Sequence, residues 1–409
     1  MRVLCVFAKY QYGDRQRGES YEIANFAPAF RRLGHEVEVF DSSERREFSD
    51  FAELNRALIK RAQVFQPDVV FAIPSLYEVW LETWEIIRAS QPVTLIHWAS
   101  DDSWKYTQAS RFFAPHFDVM ATTDRGAYAR YRREGFEDVF LTQWAANADT
   151  LVPPARADEC DYGVTFVGAA HGNRATLVEK ARNAGIDIEC FGHGWPAGPV
   201  TYRRLLDIVR GSVVSLNFAD SAYIRRGLRL ERSLQLKARN FEVPGAGGFL
   251  LTQAVPGLDK YYDPSSEIAV FSDAGELADQ ARYFLMNTVE RDRRAAAAYR
   301  RTAREHTYDR RLEELLSFAM TRYDHRTRSE GRALTVESAA FEAAVARHSV
   351  RPSLRAVARF AMWLCSLIWG RARGPRAARR ITFEISWRLC GRSTYSSAGV
   401  PGRLFYRQS

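Results

Sequence analysis

His97 stands near the end of the apolar run 93–98, and Asp101 and Asp102 follow within five residues. A histidine or carboxylate in the loop beyond a strand is placed to take a proton from a hydroxyl, the task of a general base. The same residues also read as a satisfied core histidine and a helix N-cap. A second set is cationic. Lys237 and Arg239 precede the glycine-rich stretch Gly245-Ala246-Gly247-Gly248, and Arg174 follows a glycine-containing loop at an expected helix start. Cations and helix N-termini are what a diphosphate needs around it, although a solvated surface charge has the same sequence signature. Arg225, Arg226 and Arg229 form a further basic cluster and read first as loop charge.

Several chemistries lack their fingerprints. The chain has no GxGxxG after a strand, no GxxxxGK[ST], no GxSxG, no HExxH and no Asp-x-Asp. Dehydrogenase, ATPase, serine hydrolase and metalloprotease readings lose weight accordingly. So do transferases that hold a nucleotide-sugar through an Asp-bound metal. The cysteines (Cys5, Cys160, Cys190, Cys365, Cys390) are odd in number and form no CxxC pair. That favours a reducing compartment over a disulfide framework or structural zinc. No metal and no resident cofactor are expected.

The elements that must carry these residues alternate. A strand is expected over 2–8, a helix over 21–33 stopping at Gly34, and strands over 35–40, 67–73, 93–98, 118–122 and 139–143, with helices between them. Pro153-Pro154 reads as a hinge, after which the pattern restarts at 162–167 and continues to helices 291–306 and 310–322. A helix is expected over 230–241. The segment 381–389 alternates like a strand, but the preceding Ala377-Ala378-Arg379-Arg380 leans helical, and the pattern leaves both open. The fold class is therefore α/β: two tandem Rossmann-like, doubly wound parallel-sheet domains with a cleft between, plus a C-terminal basic extension. The expected boundaries are 1–152, 153–325 and 326–409. The apolar N-terminus is short and reads as a buried first strand rather than a leader, so a cytoplasmic location is expected.

The segment 236–252, LKARNFEVPGAGGFLLT, resembles the donor-site segment of two-Rossmann (GT-B) glycosyltransferases, most of all the group-1 branch that includes the spore-maturation CgeB-like proteins. Val164-Thr165-Phe166-Val167-Gly168 followed by Arg174, the closing Glu305-His306-Thr307-Tyr308-Asp309-Arg310-Arg311, and the N-terminal pieces around Tyr12-Gly13, 17–22 and 33–37 are similar to the same family. The resemblance covers roughly residues 1–322. It implies a metal-independent hexosyl transfer from a nucleotide-diphosphate sugar to a hydroxyl acceptor on glycan, lipid or protein. Arg174, Lys237 and Arg239 would clamp the diphosphate. Glu242 would accept hydrogen bonds from ribose hydroxyls, a role that suits an acceptor-only carboxylate. Gly245, Gly247 and Gly248 would let backbone approach phosphate. His97, Asp101 and Asp102 would serve catalysis, and Gly13, Ser20 and Glu22 would meet the acceptor. The family's first motif glutamate is missing: Leu234 stands eight residues before Glu242. A nucleotide-sugar 2-epimerase and a degenerate glycan-binding scaffold are the competing readings.

The net charge of +9 is unevenly placed. Residues 326–409 hold sixteen Arg and no Lys against four Glu and no Asp, a net +12, which leaves −3 for the preceding 325 residues. No nucleic-acid partner is expected of such a body. Trp363, Trp369 and Trp387 lie among the tail's arginines, a composition that suits an anionic membrane surface, with residues 354–390 as the contact and peripheral attachment as the consequence. A helical extension packed on the body or on a partner has the same composition.

Overall fold

The computed structural model describes residues 1–44, 47–74, 78–226, 229–322, 339–348, 352–371 and 373–390. They form two units, one of residues 1–141 with 315–409 and one of residues 142–314.

The first unit is a six-stranded parallel sheet in the order β2-β1-β3-β4-β5-β6. Its strands are β1 (Arg2–Phe7), β2 (Glu36–Asp41), β3 (Val69–Ala72), β4 (Thr94–Ala99), β5 (Val119–Thr122) and β6 (Val139–Leu141). β3, β4 and β5 are buried along their whole length, as continuous apolar runs covered on both faces must be. The covering helices are α1 (Tyr21–Arg32), α2 (Phe51–Phe65), α3 (Leu81–Ser90), α4 (Asp102–Lys105), α5 (Arg111–Phe113) and α6 (Arg125–Arg133). Local chemistry sets their starts. Ser20 Oγ accepts from Ile23 N (3.1 Å), Asp50 Oδ1 from Glu53 N (2.9 Å) and Asp124 Oδ1 from Ala127 N (2.7 Å), each satisfying a donor the helix leaves unpaired.

The second unit carries the parallel order β13-β12-β9-β7-β8. Its strands are β7 (Tyr162–Val167), β8 (Ile188–Phe191), β9 (Ser212–Asn217), β12 (Leu250–Gln253) and β13 (Ala269–Phe271), with β10 (Asp220–Arg226) and β11 (Arg229–Leu234) as a separate antiparallel pair. Its helices are α7 (Arg174–Asn183), α8 (Tyr202–Arg210), α9 (Arg239–Gly245), α10 (Ala274–Met286), α11 (Thr288–Glu305) and the first part of α12 (Tyr308–Arg322). One fully buried side chain ties three segments together. Arg291 of α11 donates from Nε to Val213 O (2.8 Å), from Nη1 to Ala155 O (2.7 Å) and Asp292 Oδ1 (2.9 Å), and from Nη2 to Ser212 O (2.8 Å).

One expectation changes, one open reading is resolved, and the C-terminal segment finds a place. The helix expected over 230–241 is instead strand β11, a connecting loop and the short α9. Leu230 and Leu234 are four apart, a spacing shared by a helix turn and by two strand pleats, and the backbone pairing with β10 decides between them. Residues 381–389 lie in a helix, α15 (Gly374–Cys390), entered through Pro375 in its first turn and propagated by Ala377 and Ala378. The segment expected as a separate tail groups with the first unit. Phe341 and Ala344 of α13 (Ala339–His348) and Phe383 of α15 are buried in that unit's core. Phe318 of α12 meets Phe140 with ring centroids 5.1 Å apart, and Arg322 pairs with Asp138 at 3.0 Å.

Candidate functional site

Each sheet has a point where its winding reverses, between β1 and β3 in the first and between β7 and β9 in the second. Loops beyond the carboxyl ends of strands flanking such a point form the ligand crevice of open α/β sheets.

In the second unit a buried amide and hydroxyl network builds the platform. Asn217 Nδ2 donates to Asn240 Oδ1 (3.2 Å) and Thr252 Oγ1 (3.0 Å), and Asn240 Nδ2 donates to Thr252 Oγ1 (3.1 Å). Lys237 N donates to Asn240 Oδ1 (2.9 Å), and Ala219 N to Gln253 Oε1 (3.1 Å). The start of α9 is thereby tied to the carboxyl ends of β9 and β12. Arg239 and Glu242 stand there one turn apart, and Arg239 Nη1 donates to Glu242 Oε2 at 2.5 Å. Glu242 is 5% exposed, and among the described residues its Oε1 has no hydrogen-bond partner. The Tyr202 phenol lies beside it; burial first, then the Glu242 charge, raise that phenol well above its ordinary value.

Arg174 joins the same cluster from the first position of α7. Its Nη1 donates to Ala169 O (3.1 Å), while Asn173 N donates to Asp220 Oδ2 (3.2 Å). Burial pulls the Arg174 guanidinium down to about 10; Asp220 draws it up and the neighbouring Arg239 charge lowers it. It therefore stays charged at neutral pH. Arg174, Asp220, Arg239, Glu242 and Tyr202 thus form one electrostatic group. A buried carboxylate oxygen without a donor carries a penalty of ~1–3 kcal/mol, which a ligand hydroxyl relieves.

The three glycines have packing work at a helix-to-strand turn, the role their sequence also allows beside an approach to phosphate. They lie at the far end of α9, before β12, away from the carboxyl edge of the sheet. A Cβ on Gly245 would meet Ala146 Cβ at 2.7 Å, and one on Gly248 would meet Val209 Cγ1 at 2.6 Å. Gly247 has φ +80°, and a Cβ there would sit 2.7 Å from Val152 O. Gly247→Ala is expected to destabilise the protein by ~1–3 kcal/mol in urea unfolding while leaving the nucleotide-sugar affinity of the folded fraction unchanged. A variant of unaltered stability but weakened affinity would restore the phosphate role.

In the first unit His97, Asp101 and Lys105 line a pocket with Ile73, Pro74 and Ser100. His97 is buried against Phe113 and Phe117 at ring-centroid distances of 5.2 and 5.0 Å, and among the described residues its Nδ1 has no hydrogen-bond partner. Burial, helped by the Lys105 charge, lowers it to about 3, so the imidazole is neutral and weakly basic. Asp101 pairs with Lys105 at 3.5 Å. Half-buried Glu22, raised by burial and drawn back by Ser20 and Lys105, faces the same pair across the loop after β1. Ser20 is committed to structure: besides capping α1 it donates to Ala8 O (2.5 Å). Gly13 turns the loop at φ +72° against Ser43.

Asp102 is held away from the pocket lining. It is 1% exposed, and its Oδ2 accepts from Thr122 Oγ1 (2.8 Å) and Tyr131 Oη (3.1 Å). Burial raises it to about 6, against the pull of Ser110, Thr122 and Tyr131. A carboxyl raised in the folded state binds more protons folded than unfolded, so stability falls as pH rises from the unfolded value near 4 through about 6. The melting temperature of Asp102→Asn is therefore expected to gain on the parent over that window. Parallel curves between those two pH values would refute the assignment.

Sequence reasoning missed Tyr202, Asp220, Lys105 and the Asn217–Asn240–Thr252 network. None stands in a spacing that marks it, and each is placed by the folding of its own unit. Among the described residues no group of three or more His, Cys, Asp or Glu side chains is placed to hold a metal.

The two reversing parallel sheets define the GT-B architecture of glycosyltransferases. Sucrose-phosphate synthase from Thermosynechococcus elongatus has a TM-score of 0.53 at 11% identity, covering 79% of this chain and 100% of that one. Anabaena HepE, solved in complex with UDP-glucose, has a TM-score of 0.51 at 10% identity, covering 78% and 100%. Residues 174–317 match a family described as glycosyl transferase-like. The chain is similar to the spore protein CgeB of Bacillus subtilis strain 168, 20% identical over 278 residues, or 61% of this chain and 82% of that protein. It resembles group-1 glycosyltransferases of the CgeB-like type.

Proposed function

We propose that the protein transfers a hexosyl group from a nucleotide-diphosphate sugar to a hydroxyl acceptor. The observation that carries this reading is the buried Arg239–Glu242 pair, with Tyr202 and Arg174 beside it, at the carboxyl edge of the second sheet. Glu242 Oε1 takes a ribose hydroxyl. Arg174, Arg239 and Lys237 supply the positive charge that a departing diphosphate needs, without calling on a divalent cation. HepE, with its bound UDP-glucose, offers the parallel.

The first unit's pocket takes the acceptor. Asp101, at the rim beside Lys105, is the proton acceptor in this reading. His97, with its depressed pKa, serves as a neutral hydrogen-bonding wall. Glu22 orients the acceptor hydroxyl, and Asp102 fixes the local structure through Thr122 and Tyr131.

A panel of nucleotide-sugars, read by thermal shift and by release of free nucleotide, tests the proposal. One donor is expected to raise the melting temperature and to hydrolyse slowly without acceptor. A ligand at a hundred times its Kd stabilises by ~2.7 kcal/mol, a readily measured shift. Absence of stabilisation by every donor, or isomerisation of the donor alone, would overturn it.

A further inference from the structure

α14 (Pro352–Trp369) and α15 form a helical hairpin carried by the first unit. Phe383 of α15 is buried in that unit's core, with Trp387 packed against it. Ala358 and Cys365 of α14 pack on Ala378 of α15. Among the described residues nothing covers the other face of α14. Val357, Phe360, Trp363, Leu364, Leu367 and Ile368 are each between 45% and 66% exposed. Their spacing puts them in one stripe of the helix. Ile381, Ile385 and Leu389 add an exposed row, four residues apart, on α15.

The charge around this stripe has one sign. Residues 352–390 contain eight Arg, no Lys, no Asp and one Glu. That Glu384 is engaged by Arg388 and by Trp387 Nε1. A second copy of the chain would bring arginines against arginines, and a nucleic acid would leave the apolar stripe uncovered. A surface with both an apolar layer and an anionic layer matches both features. Among the described residues no helix is long and apolar enough to cross a membrane.

We propose that the hairpin 352–390 docks on an anionic lipid bilayer and lies in its plane. The α14 stripe enters the acyl boundary, and the flanking Arg359, Arg376, Arg380 and Arg388 reach phosphate headgroups along their aliphatic stems. Docking does not depend on the transferase reading, because it uses none of the residues assigned to donor or acceptor.

Flotation of the full chain tests this, with vesicles of phosphatidylcholine alone and of phosphatidylcholine mixed with phosphatidylglycerol. The chain is expected to float with the mixed vesicles, to stay behind with the neutral ones, and to detach as salt rises. Trp363→Glu with Leu367→Glu is expected to weaken partition by at least ~10-fold. Because both side chains are exposed, the melting temperature should not change. Arg376→Glu with Arg380→Glu should abolish the preference for anionic vesicles. Three results would overturn the proposal: no flotation with mixed vesicles, unchanged flotation of the Trp363/Leu367 variant, or a stable dimer, lost in that variant, that ignores vesicles.

Discussion

Glu242→Ala is expected to weaken nucleotide-sugar binding by about 100-fold, because hydrogen bonds to a charged group contribute ~1.5–3 kcal/mol each and the vacant Oε1 awaits at least one. The second carboxylate oxygen already receives Arg239. The substitution therefore removes the hydroxyl acceptor and also releases the guanidinium that Glu242 orients. Glu242→Gln separates these effects. Its amide keeps one acceptor but offers a donor either to the hydroxyl that should donate or to Arg239, which already does. It should recover only part of the affinity. Calorimetric titration of both variants measures this. Affinity within about threefold of the parent in both would remove Glu242 from the donor site.

Arg291→Met is expected to lower unfolding free energy by ~3–5 kcal/mol. The change keeps most of the aliphatic volume but strips donors from Ala155 O, Ser212 O and Val213 O around a side chain that is itself fully buried. It also removes the partner of Asp292, whose Oδ1 is left with the Ala157 amide. Arg291→Lys should recover less than half of the loss, since one ammonium cannot reproduce the planar fork that reaches three carbonyls. Urea midpoints at constant m-value report the difference, and a loss below about 1 kcal/mol would show that the carbonyls find other donors.

Much of this fold was legible along the chain. Continuous apolar runs such as Val69–Ala72 have no solvent-facing alternation, which demands helices on both faces of a parallel sheet. The residues proposed for the donor stand out through a local pattern, since Lys237, Arg239 and Glu242 lie within six residues of one another. Where the reading failed, the deciding interaction was distant. Leu230 and Leu234 fit two periodicities, and only pairing with β10 selected the strand. The glycines of 245–248 read both as ligand-facing backbone and as a helix-to-strand turn, and the sequence did not say what packs on them. The contacts that require them, Ala146, Val152 and Val209, are between roughly 40 and 100 residues away in sequence.

By itself the sequence determined the α/β class, the restart near Pro153-Pro154, and the concentration of positive charge after residue 325, because periodicity and composition are properties of short windows. Tertiary structure alone decided which charged residues are buried and what stands beside them. It buried Asp102 under Thr122 and Tyr131, held His97 neutral between two phenylalanines, and brought Tyr202 to Glu242. Solvation and partner charge, which set what a side chain does, depend on neighbours that only the folded chain supplies. The same holds for the C-terminal arginines and tryptophans. Composition marked them as basic and aromatic, and packing of Phe383 into the core fixed which face of the hairpin remains exposed.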